Sequence, residues 1–168
     1  RLLRTCEGAT GGKTGFTDRA GRCLVFSAER EGMELFGAVL NCPAWFDEAE
    51  EMLNYGFEHY HLETALVAGA VACETGVSGG MADKVEAVAD RTLAAAVGED
   101  ERWSVRYDFG DGVRAPVARG EAIGTATLSI DGQPVASCKL LAKQSVEDRS
   151  MMKALKRILM QWLLNFRS

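Results

Sequence analysis

Within Gly8–Thr17, GATGGKTGFT, the residues able to do chemistry are Lys13, Thr14 and the glycines around them. One cation, one hydroxyl and backbone free of side chains can hold an anion, either a phosphate or a carboxylate. A phosphate-binding P-loop requires G-x-x-x-x-G-K-[ST], so that successive backbone N–H groups wrap the phosphates. Counting back from Lys13-Thr14 puts the first glycine at position 7, where Glu7 stands. A P-loop also lies between a buried strand and a helix. Here RLLRTCE is a poor buried strand, and GFTDRAGRCLV leads through Gly21 into another strand. The carboxylate reading survives both objections. A lysine on a strand edging a cleft supplies a fixed charge that draws in a carboxylate and raises the acidity of a nearby hydroxyl. The Thr14 hydroxyl can bond that carboxylate, and Gly15 leaves a ligand backbone free to pair with the strand. Three residues alone also fit an ordinary turn.

The elements that must position this run follow it directly. RCLVFSAER (22–30) and MELFGAVLN (33–41) are apolar runs separated by Glu31-Gly32, a hairpin signal. Pro43 then opens PAWFDEAEEMLNYGFEHY, with Asp47 and Glu48 early and Phe46, Ala49, Leu53, Phe57 and Tyr60 spaced for one helical face. Strand, strand and helix leave one sheet face without a layer, so residues 1–61 are expected to complete a domain whose other part is not in this sequence. From Leu62 the pattern changes to short runs and turn signals, with Asp131-Gly132 the strongest hairpin mark, and 62–146 reads as a small all-β domain. The alanine-rich DKVEAVADRTLAAAV (83–97) is helical by propensity but flanked by short β units; strands are favoured and helix is left open.

Residues 147–168 read as an amphipathic helix. At 100° per residue Met151, Leu155, Ile158, Leu159, Trp162 and Phe166 share one arc, away from the cations. Residues 149–168 carry five cations and no acid, so the net charge of −5 divides into +5 for the tail and −10 for the other 148 residues. An acidic body argues against nucleic acid, and a basic apolar tail suits a helix lying in a membrane interface rather than spanning it. An ordinary core-packed helix is the other reading. The five scattered cysteines contain no C-x-x-C pair and read mostly as small buried hydrophobes. His59 and His61 lack acids or cysteines at ligand spacing, so neither a metal nor another cofactor is expected. No targeting peptide is visible at RLLRTC.

With those surroundings, Lys13-Thr14-Gly15 resembles the K-T-G triad of penicillin-interacting serine acyltransferases. GGKTGFTDRAGRCLVFSAEREGMELFGAVLN and MLNYGFEHY resemble the C-terminal part of the transpeptidase-like domain of D-alanyl-D-alanine carboxypeptidases, the low-molecular-mass penicillin-binding proteins. VRAPVARGEAIGTATLSIDGQPVASCKLLAKQSVE is similar to the end of that family's small β domain, and the tail resembles its amphipathic membrane anchor. The resemblance implies an α+β fold: the C-terminal strands and helix of a β-lactamase/transpeptidase-like domain (1–61), a small all-β domain (62–146) and a terminal amphipathic helix (147–168).

It also implies a serine acyl-enzyme mechanism that removes the terminal D-alanine from peptidoglycan stem peptides, with β-lactam antibiotics as ligands. Lys13 and Thr14 would hold the substrate's terminal carboxylate, Gly15 would give clearance, and the Phe16 backbone N–H would be an oxyanion donor. Asp18 is expected to shape the following turn. In the family S-x-x-K and S-x-N precede K-T-G, so the nucleophile is expected upstream of Arg1, in an N-terminal remainder of the same protein. SMMK at 150–153 fits S-x-x-K in letters but stands in the wrong order, and Ser129-Ile130-Asp131 is read as a strand end. The expected location is the outer face of the cytoplasmic membrane. The alternative is a non-catalytic envelope-binding module with a membrane-surface helix.

Overall fold

The computed structural model describes residues 1–151, 154–156 and 159. In chain order the elements are α1 (Leu2–Thr5), β1 (Ala9–Thr17), β2 (Gly21–Arg30), β3 (Met33–Val39), α2 (Trp45–His59), β4 (Tyr60–Leu66), β5 (Val71–Ser78), β6 (Lys84–Ala89), β7 (Leu93–Gly98), β8 (Trp103–Asp108), β9 (Val113–Arg114), β10 (Ala122–Ile130) and β11 (Gln133–Ala142). Most of the described chain is strand or the turns that join strands. Both hairpins marked by the sequence form: Glu31 and Gly32 (φ 50° and 80°) join β2 to β3, and Asp131 and Gly132 (φ 48° and 79°) join β10 to β11. Left-handed backbone at both turn positions matches the twist of the flanking strands, which is why Gly is needed there.

The chain divides into two compact units. The first, Arg1–Glu63 with Ala96–Arg102, holds an antiparallel sheet in the order β1-β2-β3. Alternation along β2 sends Leu24, Phe26 and Ala28 to one face, where they pack with Ala49 and Leu53 of α2 and Leu2 of α1. Burying a Leu or Phe side chain of this kind contributes about 1.5–3 kcal/mol. Two glycines let the layers approach. A Cβ on Gly37 would fall 2.3 Å from Phe26 Cζ, and one on Gly56 would fall 2.5 Å from Leu35 Cδ1. The expected helical face holds for Ala49 and Leu53, buried, and for Phe46 and Phe57, partly buried. Tyr60 corrects it: the helix stops at His59, and Tyr60 is extended (φ −128°, ψ 143°) and begins β4. RLLRTCE, a poor strand by sequence, contains the single turn α1.

The second unit comprises Thr64–Ala95 and the described chain from Trp103. Its six-stranded sheet runs β8-β10-β11-β6-β5-β9, antiparallel except for β5 with β9. The region 83–97 is strand, as favoured. Val85, Ala87 and Ala89 alternate into the core while their neighbours on β6 do not, so burial at period two overrides alanine's helix propensity. Leu93, Leu128 and Leu140 pack with Ala87, Ala89, Ala126 and Cys138, and no polar residue is buried among the described residues. β4 and β7 pair as a separate two-stranded sheet.

Beyond β11 the chain turns helical at Arg149. Asp148 Oδ1 accepts the Ser150 N–H at 2.6 Å, an N-terminal cap. Met151, Ala154, Leu155, Lys156 and Leu159 are helical and exposed. Ile158, Trp162 and Phe166 lie outside the described residues, as do Met152 and Lys153 of SMMK.

Candidate functional site

The K-T-G residues lie on β1, the edge strand of the three-stranded sheet. Their register against β2 pairs Lys13 with Val25, Thr14 with Leu24, Gly15 with Cys23 and Phe16 with Arg22. Residues directly opposite in an antiparallel pair share a face. Lys13 and Gly15 therefore occupy the face of Val25, and Thr14 occupies the face of Leu24. The two side chains meant to clamp one carboxylate leave β1 on opposite faces, and a ligand lying along the strand's free edge is the arrangement that meets both. All residues from Gly12 to Thr17 are exposed.

The Lys13 face has its own shape. An open groove of about 690 Å³ is lined there by Gly11, Lys13, Val25, Ser27, Phe36 and Ala38 among others. Val25 and Phe36 are 52% and 75% exposed, so this face is apolar around a single cation. Sequence reasoning did not single out either residue, although their positions between Leu24, Phe26 and Leu35 marked them as the opposite set of the alternation. Lys13 Nζ donates to the Thr14 carbonyl at 2.7 Å. Gly15 has nothing within 4 Å of the position a Cβ would take, so its small size serves no packing within this chain. Phe16 is 65% exposed. Asp18 stands in the turn after β1, and the Thr17 hydroxyl accepts the Ala20 N–H across it at 3.0 Å.

Of the other reactive side chains, Cys23 shares this face, standing opposite Gly15. His59 Nδ1 lies 3.8 Å from Glu99 and His61 Nε2 3.1 Å from Glu63; no cluster of three or more metal-ligating side chains occurs among the described residues. All five cysteines are free. Burial pushes the Cys73 thiol up, and burial followed by the nearby Asp90 does the same to Cys138, so both stay protonated and unreactive near neutral pH. Ser129 and Ile130 close β10 directly before the Asp131 turn, as their sequence context implied.

Residues 60–148 match the family model described as penicillin-binding protein 5, C-terminal domain. The chain belongs to that family. Residues 1–44, which include the K-T-G strand, match the model described as D-alanyl-D-alanine carboxypeptidase. The chain is 25% identical to D-alanyl-D-alanine carboxypeptidase DacF of Bacillus subtilis over 168 residues, covering 96% of this chain and 43% of that protein. It is 30% identical to D-alanyl-D-alanine carboxypeptidase DacA of Haemophilus influenzae over 143 residues, covering 81% and 36%. Among solved structures, penicillin-binding protein 5 from Haemophilus influenzae superposes with a TM-score of 0.64 at 28% identity, over 81% of this chain and 42% of that one. The chain thus spans less than half the length of these penicillin-binding protein relatives.

Proposed function

We propose that the chain is the C-terminal part of a serine-type D-Ala-D-Ala carboxypeptidase, in which β1 is the substrate-binding strand. The observation that carries this reading is the exposed edge of β1, with Lys13 beside an open groove and Gly15 facing empty space. A stem peptide ending in D-Ala-D-Ala lies along that edge as an added strand. Lys13 holds the terminal carboxylate by its charge and Thr14 by its hydroxyl, and Gly15 keeps the way clear. The Phe16 N–H is half of the oxyanion hole. A serine upstream of Arg1 attacks the penultimate D-alanine carbonyl, expels the terminal D-alanine and forms an ester that water resolves. A β-lactam carries a carboxylate of the same kind and enters the same groove. The chain alone has no nucleophile for this step.

Residues 1–61 then serve as the end of the transpeptidase-like domain, 62–146 as a small β domain and 147–168 as a helix on the outer face of the cytoplasmic membrane. The exposure of Leu155 and Leu159, 53% and 57%, supports a membrane-surface helix over one packed on a core. Among the described residues no helix is long and apolar enough to cross a membrane.

D-alanine release from a peptide ending in D-Ala-D-Ala, by the product of the complete coding sequence, tests this reading. Thr14→Val is expected to raise KM with a smaller effect on kcat. Unchanged KM and kcat would remove Thr14 from the carboxylate site.

A further inference from the structure

Thr14 leaves β1 on the face of α1 and α2, and Lys13 leaves it on the other, so the hydroxyl and the ammonium do not share a face. The register puts a different cation on the Thr14 face. Arg22 stands directly opposite Phe16, two residues along β2 from Leu24, and Leu24 is opposite Thr14. Residues two apart on a strand point the same way. Diagonal neighbours across an antiparallel pair lie about 7–8 Å apart, within reach of a long side chain. Thr14 and Arg22 are such a diagonal pair.

The Arg22 guanidinium is exposed but held in place. Its Nη1 donates to the Pro43 carbonyl at 3.2 Å, and its carbon lies 5.7 Å from the centre of the Trp45 ring. Trp45 packs on Phe46 with ring centres 5.1 Å apart, and Phe46 lines an open groove of about 200 Å³ with Leu2, Leu24 and Thr14. One aromatic pair thus connects the Thr14 groove to the Arg22 side chain. Stacking and a single bond fix the planar group while leaving most of its N–H donors free. The charged neighbours do not occupy them. Asp18 and Arg19 stand in the turn before Arg22, and Asp47 and Glu48 lie in the first turn of α2. Asp47 is engaged by Arg1, and Arg22 forms no ion pair among the described residues.

We infer that Arg22 is a further carboxylate-binding residue, which grips with Thr14 the terminal carboxylate of a ligand laid along β1. The inference rests on the reading of β1 as the substrate-binding strand. A carboxylate accepts the Thr14 hydroxyl on one oxygen and the guanidinium on the other, and a charge-assisted bond is the stronger of the two. Lys13 then acts on the same ligand from the opposite side of the strand edge.

The test is kcat/KM of the product of the complete coding sequence, for a peptide ending in D-Ala-D-Ala and for the same peptide ending in D-Ala-D-alaninamide. Arg22→Gln is expected to lower kcat/KM for the free acid about tenfold or more, chiefly through KM, and to leave the amide within about twofold. Arg22→Lys keeps the charge without the fork and is expected to fall between Arg22→Gln and the parent. Arg19→Gln, in the exposed turn, is expected to behave as the parent. An equal loss on both peptides would make Arg22 a packing residue of the Pro43 turn, no loss on either would remove it from the site, and a matching loss from Arg19→Gln would reduce the effect to net charge. Each of these overturns the inference and leaves the reading of β1 standing. If the parent releases no D-alanine, or releases it no faster than D-alaninamide, both are overturned.

Discussion

Lys13 stands directly opposite Val25 across β1 and β2, on the sheet face that carries no helix of its own unit. Lys13 lines the open groove together with Val25, Phe36 and Ala38, with its Nζ on the Thr14 carbonyl at 2.7 Å. On the opposite face Leu24 and Phe26 are buried against α1 and α2. One sheet therefore separates a structural face from a candidate binding face.

Gly15 discriminates between packing and function. Because no atom lies within 4 Å of its Cβ position, Gly15→Val should leave the melting midpoint of the chain unchanged or slightly raised, as β-branched residues favour strands. In the complete protein the same change should slow acylation by a β-lactam about tenfold or more by blocking strand pairing. A drop in melting midpoint of the isolated chain would show that Gly15 packs against something within it.

The structural face predicts ordinary core costs. Leu53, 2% exposed, should lose about 2–5 kcal/mol of stability on replacement by Ala. Gly37→Ala, whose Cβ would meet Phe26 Cζ at 2.3 Å, should cost about 1–3 kcal/mol through overpacking. Urea unfolding followed by tryptophan fluorescence measures both. A neutral Gly37→Ala would mean that the Phe26 ring has room to turn away.

Asp148 has a pH signature. Hydrogen bonds from the Ser150 hydroxyl and then from the Ser150 and Met151 N–H groups hold its carboxyl below the usual 3.8. A depressed pKa in the folded state stabilises the cap above the unfolded value and loses that effect as pH falls through the folded one. Carboxyl carbon NMR should therefore place the Asp148 midpoint below 3.8, and Ser150→Ala should move it upward. A midpoint unaffected by Ser150→Ala would contradict the contribution of the Ser150 hydroxyl.

Much of this organisation is legible in the residues. Glu31-Gly32 and Asp131-Gly132 mark their hairpins because a two-residue turn needs left-handed backbone at both positions. The face of α2 is visible in the spacing of Ala49 and Leu53. Its end is not, since Tyr60 passes from helix to strand with no glycine or proline to mark the change. At 83–97 local propensity and burial disagree, and only the pairing of β6 with β5 and β11 decides between them. Thr17 and Asp18 are both capping residue types, so sequence could not choose the one that bonds Ala20. The exposed set on β2 and β3 that holds Val25 and Phe36 was reachable from alternation alone. Which residues share a face with Thr14 needs the β1–β2 register, which a glycine-rich strand does not announce.

Labelled penicillin measures the central claim most directly, applied to the purified 168-residue chain and to the product of the complete coding sequence. The account predicts no covalent label on the chain and a serine-linked label on the longer product, formed about a hundredfold more slowly when Lys13 is replaced by Ala. A covalent label on the 168-residue chain, or acylation of the longer Lys13→Ala product at the parent rate, would contradict it.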